Sequence, residues 1–165
     1  MKISAVLDTG FLISLVDCER PCHETAKQYY KYCLENQIDL LLPTVAVSEF
    51  AIKQSPDDLP LRNFIILPFC YQDAKRCAAL NVSYYRTKLS NTGQRDSVKD
   101  DFKIIAQAEE RKAQYLISED ENTFKVYVDQ LRADYQIRFS FISIQQKFDV
   151  ALINGTGQAE MDLKQ

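Results

Sequence analysis

The fold of this chain is decided by two neighbouring stretches of sequence, DDFKIIAQA at residues 100–108 and YLISED at residues 115–120. The first predicts a helix with an acidic first turn, because three apolar residues follow Asp101 by three, four and seven positions, namely Ile104, Ile105 and Ala108. The second predicts a short buried strand that ends at polar residues. If this strand joins a parallel sheet, the helix runs antiparallel to it, so the helix start and the strand end lie at the same edge. We therefore expect Asp101 and Asp120 to meet, although 19 positions separate them.

Length and composition are those of an ordinary globular chain. The 165 residues suffice for one domain with a sizeable core, and 46% hydrophobic with 26% charged residues argues against wholesale disorder. The net charge of −3 argues against a protein that coats nucleic acid by charge alone, since such binding uses Lys and Arg to neutralise phosphates. No apolar stretch reaches the roughly 18 residues of a membrane span, and no charged leader precedes a long apolar run. We expect a cytoplasmic protein that does not enter a membrane.

The cysteines indicate a reducing environment. There are five, at positions 18, 22, 33, 70 and 77, and an odd, scattered set favours free thiols over a disulfide framework. A zinc site is one alternative, because three potential ligands lie close together in the sequence, namely Cys18, Cys22 and His23. Structural zinc sites, however, usually carry a second pair of ligands, and buried unreactive cysteine is the commoner state. His23 is the only histidine, so a histidine-dependent triad has little support.

Strands and helices alternate along the chain. Apolar runs predict strands near residues 2–7, 39–42, 64–67, 115–117 and 138–144, and helical spacing predicts helices near 11–16, 23–35, 45–53, 73–80, 101–108 and 123–133. This order is typical of an α/β domain with a mostly parallel sheet. No repeat or linker divides the chain, so we expect a single domain over residues 1–165, with a core at about 2–144 and a C-terminal extension at 145–165.

Regular spacing fails between residues 81 and 99, where NTGQ at residues 91–94 predicts a turn. Long irregular connections often carry function, and this one mixes basic with aromatic side chains, which can hold phosphates and stack unpaired bases. The predicted RNA-binding residues are Arg86, Lys88, Arg95 and Lys99. A solvated surface loop without a ligand is an equal alternative.

Four acidic residues fall at one end of the predicted sheet. Asp8 and Asp120 follow strand ends, while Asp101 begins one helix and Glu49 lies in the second turn of another. Taken singly, Asp8 could be a helix cap and Glu49 an ordinary exposed helical residue. Clustered carboxylates, however, raise one another's pKa unless a cation neutralises them, and hard oxygen ligands favour Mg²⁺ or Mn²⁺ over zinc. We therefore expect these four residues to bind metal and to be catalytic.

An acidic site that holds one or two such ions suits cleavage of a phosphodiester bond, because the metal activates a bound water and stabilises the leaving oxygen. Thr9 and Ser118 are placed to order a ligand or a neighbouring carboxylate by hydrogen bonds. Asp100 is the rival of Asp101, but it falls one position outside the apolar register of the helix. We therefore assign Asp100 a supporting or capping role.

The sequence resembles the PIN-domain ribonucleases, many of which are toxins in toxin–antitoxin pairs of the VapBC type. The resemblance rests on four segments in order, which are LDTGFLI at residues 7–13, VSEF at 47–50, DFKIIAQA at 101–108 and LISED at 116–120. It runs from Lys2 to Ile144. Gly10 departs from the pattern, since the family more often has Asn or Ser there. The 81–99 segment and the 145–165 extension make this chain longer than the compact toxins.

The resemblance implies a three-layer α/β/α domain and a Mg²⁺- or Mn²⁺-dependent ribonuclease. It implies that the acidic quartet consists of Asp8, Glu49, Asp101 and Asp120, and that Ser118 is the hydroxyl residue of the fourth segment. Beside the RNA substrate, it suggests an antitoxin protein and a second copy of the chain, in a homodimer, as partners.

Two other classes of function stay open. A PIN-like domain that no longer cleaves would be an RNA-binding or protein-interaction module, although such domains usually lose one of the acids and this chain has all four. An aspartate-based phosphotransferase would use Asp8 as a nucleophile, but Gly10 stands where its second aspartate is expected. The leading hypothesis is a metal-dependent endoribonuclease directed at single strands.

Overall fold

The computed structural model describes residues 2–80, 97–135 and 137–154. In these ranges the strands are β1 (Ser4–Leu7), β2 (Asp39–Pro43), β3 (Ile65–Leu67), β4 (Tyr115–Ser118) and β5 (Ser140–Ser143). The helices are α1 (Thr9–Val16), α2 (His23–Glu35), α3 (Thr44–Phe50), α4 (Tyr71–Ala79), α5 (Ser97–Glu110) and α6 (Phe124–Asp134). Short 3-10 turns lie at Pro56–Asp58, Leu61–Asn63 and Val150–Leu152. None of these helices is both long enough and apolar enough to cross a membrane.

The five strands form one parallel sheet in the order β3-β2-β1-β4-β5. Every residue of β1 and β4 is buried, as expected for central strands of a parallel sheet covered by helices. Helix α5 packs against β1 and α3, while α1 packs against β4 and α2. The predicted α/β class with a mostly parallel sheet is therefore confirmed.

Two helix ends determine where the following strands begin. Gln37, after α2, and Lys112, after α5, have positive φ angles of 55° and 53°. In both turns a backbone N–H reaches a carbonyl oxygen five residues earlier, from Ile38 to Cys33 at 2.9 Å and from Ala113 to Ala108 at 3.0 Å. This is the Schellman arrangement, which satisfies the last helical carbonyls and reverses the chain within a few residues. Strands β2 and β4 therefore start close to the ends of α2 and α5.

One helix begins earlier than the sequence suggested. Helix α5 includes Ser97, so Asp101 lies in its second turn, and the expectation that the helix starts at Asp101 was wrong. The physical reason is Val98, which is buried and extends the apolar face backwards, four positions before buried Phe102. Helix α3 also ends at Phe50, short of the predicted boundary near Lys53.

The first part of the C-terminal extension packs onto the domain. The Phe148 ring meets the Tyr29 ring edge-on, with 4.8 Å between the centroids, and also contacts Tyr32. The Asp149 N–H donates to the Tyr29 hydroxyl at 3.3 Å, and Ile153 is fully buried. The extension up to Asn154 therefore contributes to the core.

Candidate functional site

The strand order creates a natural binding position at the centre of the sheet. Strands β1 and β4 are neighbours, with β2 on the far side of β1 and β5 on the far side of β4. Ligands of open α/β sheets bind at such a switch point, outside the carboxyl ends of the strands. Asp8 directly follows β1 and Asp120 lies two positions after β4, so both acids fall at this point.

Ser118, the last residue of β4, binds both of these acids. Its hydroxyl donates to Asp8 Oδ2 at 2.7 Å and accepts the backbone N–H of Asp120 at 3.0 Å. Burial raises the pKa of Asp8 to about 6, against the lowering effect of the Ser118 hydrogen bond, and the charges of Glu49 and Asp120 add to the rise. The Asp8 side chain makes no capping hydrogen bond to α1, so the simple cap alternative does not describe it.

Asp101 reaches the same space from α5. Its side chain is buried, and Oδ2 has no hydrogen-bond partner among the residues that the structure describes. Burial raises the pKa of Asp101 to about 9, and the charges of Asp8, Asp120 and Glu49 act in the same direction. A buried, unpaired carboxylate oxygen is costly. A cation beside this atom would offset that cost.

Glu49 approaches from α3 and is oriented by Thr9. The Thr9 hydroxyl donates to Glu49 Oε2. Burial raises the pKa of Glu49, the Thr9 hydrogen bond lowers it, and the neighbouring carboxyl of Asp100 raises it. Asp100 Oδ1 in turn accepts a hydrogen bond from Lys103 Nζ at 2.8 Å. Asp100 therefore lies beside the quartet, next to Glu49.

Asp120 is oriented by the turn that starts α6. Its Oδ1 accepts the backbone N–H groups of Asn122 at 2.9 Å and Thr123 at 2.8 Å, and the Thr123 hydroxyl donates to Oδ2. The side chain is only partly buried. Asp120 therefore has one fixed orientation at the solvent side of the cluster.

The four acids offer oxygen donors, which suit Mg²⁺ or Mn²⁺. Within the described ranges, no three His, Cys, Asp or Glu side chains are arranged as a ready metal-binding group. Three of the carboxylates accept hydrogen bonds from nearby hydroxyls, which are those of Ser118, Thr9 and Thr123. Like charges at such a site repel one another. A divalent cation would pair with Asp101 Oδ2 and reduce the repulsion among the four carboxylates. The residues present therefore suit a divalent metal ion.

The charges of Asp8, Asp120 and Glu49 all act on Asp101, so the four predicted acids lie near one another at this end of the sheet. Of the predicted RNA-binding residues, Lys99 is an exposed residue of α5. The other three, Arg86, Lys88 and Arg95, lie outside the described residues. At the alternative zinc position, His23 Nδ1 lies 2.9 Å from the Ser14 backbone oxygen, Cys22 is buried and Cys18 is exposed.

Sequence reasoning missed an ion pair beside the quartet. Glu119 Oε2 accepts hydrogen bonds from Arg20 Nη2 at 2.5 Å and from Ser14 Oγ at 3.1 Å. Arg20 lies between α1 and α2, where no periodicity indicates a site. The one available signal in the sequence was Gly10, which departs from the Asn or Ser that the resembling family more often has there. In the structure, a Cβ at this position would lie 3.1 Å from Glu119 Cβ.

Comparison with known proteins shows similarity in structure alone. No protein-family description matches the chain, and no curated protein matches it in sequence. A chain in the crystal structure of VapBC2 from Rickettsia felis, bound to a DNA fragment from their promoter, superposes with a TM-score of 0.57 at 12% identity, covering 84% of this chain and 98% of that one. A chain of DNA-bound VapBC from Salmonella typhimurium gives 0.52 at 12% identity, covering 86% and 98%. The chain therefore has the PIN-domain fold of these VapBC structures.

Proposed function

We propose that this protein is a Mg²⁺- or Mn²⁺-dependent endoribonuclease that hydrolyses phosphodiester bonds of single-stranded RNA. The observation that carries the proposal is Asp101 Oδ2, buried and unpaired within the described residues, in the field of three further carboxylates. Negative charge concentrated away from water calls for a cation. The position at the switch point of a PIN-domain sheet gives further support.

Asp8, Glu49, Asp101 and Asp120 would hold the ion. When bound, the ion supplies Lewis acidity that activates water and stabilises the leaving oxygen of the cleaved bond. Ser118 orients the Asp8 carboxylate, and Thr9 orients that of Glu49. Asp100 lies beside Glu49 and would position the ammonium group of Lys103, from which it accepts a hydrogen bond.

The proposed substrate and partners follow from the resemblance and the fold. RNA would contact the basic residues that the sequence singled out, namely Arg86, Lys88, Arg95 and Lys99. An antitoxin protein is the proposed inhibitor, because both similar structures are VapBC assemblies. A homodimer and a cytoplasmic location also remain proposals.

The test is cleavage of a pool of structured RNAs by the purified chain with Mn²⁺, with Mg²⁺ and with chelator. We expect metal-dependent cleavage by the wild type and a loss of about 100-fold or more in Asp101→Asn, because the central ligand is removed. Asp129→Asn is the matched control, since Asp129 is an exposed acid of α6 paired with Lys125.

Thermal unfolding supplies a readout independent of cleavage. Binding of Mn²⁺ at 100 times its dissociation constant adds about 2.7 kcal/mol, which raises the Tm of a domain of this size by roughly 5–10 °C. We expect this rise in the wild type and in Asp129→Asn, and a much smaller rise in Asp101→Asn. Metal-loaded wild type that cleaves no RNA would contradict the nuclease proposal and favour the binding-module alternative.

A further inference from the structure

An ion pair lies at the rim of the acidic site, beside the predicted quartet. Arg20 Nη2 binds Glu119 Oε2 at 2.5 Å, and Ser14 Oγ binds the same oxygen at 3.1 Å. Ser14 is fully buried in α1, while 18% of the Glu119 side chain is exposed. The carboxylate is therefore fixed from two sides, and it fixes the guanidinium of Arg20.

Gly10 brings this ion pair close to the quartet. The point where a Gly10 Cβ would lie is 3.5 Å from Glu119 Oε2 and 3.6 Å from Asp8 Oδ2. The two carboxylates therefore flank a single missing Cβ atom. Arg20 is hydrogen-bonded to Glu119 Oε2, so only the Glu119 side chain separates its positive charge from the space beside Asp8.

Arg20 has unused hydrogen-bonding capacity. Its side chain is 37% exposed, and only Nη2 donates a hydrogen bond within the described ranges. The Nε atom is buried and has no partner there. A guanidinium carries five N–H donors in a planar fork that matches phosphate geometry, so the Nη donors of Arg20 that Glu119 does not use are left for a ligand.

A stabilising role alone does not explain the pair. Partly exposed ion pairs contribute little to stability, and Glu119 adds a fifth carboxylate next to four that already repel. A substrate phosphate that enters such a site meets the same repulsion, in a chain whose net charge is −3. An arginine held at the rim lowers that barrier locally.

We propose that Arg20 binds a backbone phosphate of the RNA next to the bond that is cleaved, and that Glu119 and Ser14 position its guanidinium. This inference rests on the proposed ribonuclease function. It adds a substrate contact from the loop between α1 and α2, separate from the basic residues at positions 86–99.

Salt dependence of binding tests the contact directly. A fluorescent single-stranded RNA that contains the cleavage site is titrated with Asp101→Asn protein, which binds without cutting, at several KCl concentrations. Each phosphate contact on a single strand contributes about 0.7 to the slope of log K against log salt. Adding Arg20→Ala should reduce the slope by about that amount and weaken binding about tenfold at low salt.

Three further variants separate binding from structure. Arg62 is an exposed arginine that precedes β3 at the opposite edge of the sheet, so Arg62→Ala should change neither the slope nor the affinity. Arg20→Lys keeps the charge and should restore most of the slope. Glu119→Ala should keep the slope, because Arg20 is still present, although its guanidinium is then held less firmly.

The outcomes distinguish this inference from the proposed function. An unchanged slope in Arg20→Ala, with the parent protein still binding RNA, would overturn the Arg20 contact alone. A loss of slope in Arg62→Ala as large as that in Arg20→Ala would also overturn it, since the effect would then reflect overall charge and not a contact at Arg20. Failure of the parent protein to bind any RNA of the pool would overturn both proposals.

Discussion

The Ser118 hydroxyl group orients two of the four acids, Asp8 and Asp120. The hydroxyl donates to Asp8 Oδ2 and accepts the N–H of Asp120, so one buried side chain sets the position of both. A hydroxyl that orients a metal ligand in this way typically changes affinity or activity by 10–100-fold when it is removed. Its contribution should therefore be visible in turnover.

Ser118→Ala should lower kcat for RNA cleavage with Mn²⁺ by about 10–100-fold, because Asp8 loses its orienting hydrogen bond. The measurement is steady-state kinetics beside thermal unfolding. Ser143→Ala is the matched control, since Ser143 pairs with Ser118 in register at the end of β5 and its hydroxyl accepts the Gln145 N–H. If both variants lose activity equally, the effect comes from disturbed packing and Ser118 has no special role.

The absence of a side chain at Gly10 affects where Glu119 can lie. A Cβ at this position would lie 3.1 Å from Glu119 Cβ, which is closer than side chains normally approach. The Asn or Ser that the resembling family more often carries there would require Glu119 to shift by a few tenths of an ångström. The absence of a side chain at Gly10 therefore leaves room for Glu119 in the position where it pairs with Arg20.

Helix α4 is joined to α5 by one fully buried carboxylate. Asp73 accepts the Cys70 N–H at 2.8 Å, which caps α4, and binds both terminal nitrogens of Arg111 at 3.0 and 3.2 Å. Burial by itself would raise the pKa of Asp73, but the Cys70 and Arg111 contacts hold it below its ordinary value of 3.8. The ionised form of Asp73 therefore stabilises the folded chain.

Asp73→Asn should lower the free energy of unfolding at pH 7 by about 2–4 kcal/mol, since Arg111 loses its buried charged partner. Because the folded pKa is depressed, this stabilisation is present above pH 3.8 and is lost as the pH falls through the folded pKa. Urea unfolding between pH 3 and pH 7 should show the two proteins converging at the acid end. Asp57→Asn, at an exposed position, should follow the wild type throughout; a constant gap at all pH values would contradict the ionic role of Asp73.

At the level of helices and strands, apolar runs and helical spacing were enough to predict an α/β domain with a mostly parallel sheet. The strand signals of β1 and β4 are continuous apolar runs, and parallel pairing brings Asp8 and Asp120 together without further information. The start of α5 was missed because an acidic turn is also compatible with the helix interior. The Arg20–Glu119 pair spans 99 positions and depends on loop geometry, which no periodicity encodes.

At the scale of the whole molecule, the four acids come from separate segments between residues 8 and 120, so the fold must bring distant parts of the chain together. The sheet order places two of them at the centre, while α3 and α5 supply the others by packing against each other. Residues 145–154 of the extension are part of the same structure. Its Phe148 ring covers Tyr29 of α2, which in turn packs against α1, the helix that begins next to Asp8.

The contribution of the extension can be measured with two adjacent residues. Ile153 is fully buried, whereas Leu152 is 42% exposed. Ile153→Ala should lower the free energy of unfolding by about 2–4 kcal/mol, because it leaves a cavity in the core, and Leu152→Ala should change it by less than about 0.5 kcal/mol. Chemical unfolding of both variants gives the comparison. Equal, small effects would mean that the extension only rests on the surface, and that the core ends at about residue 144 as the sequence predicted.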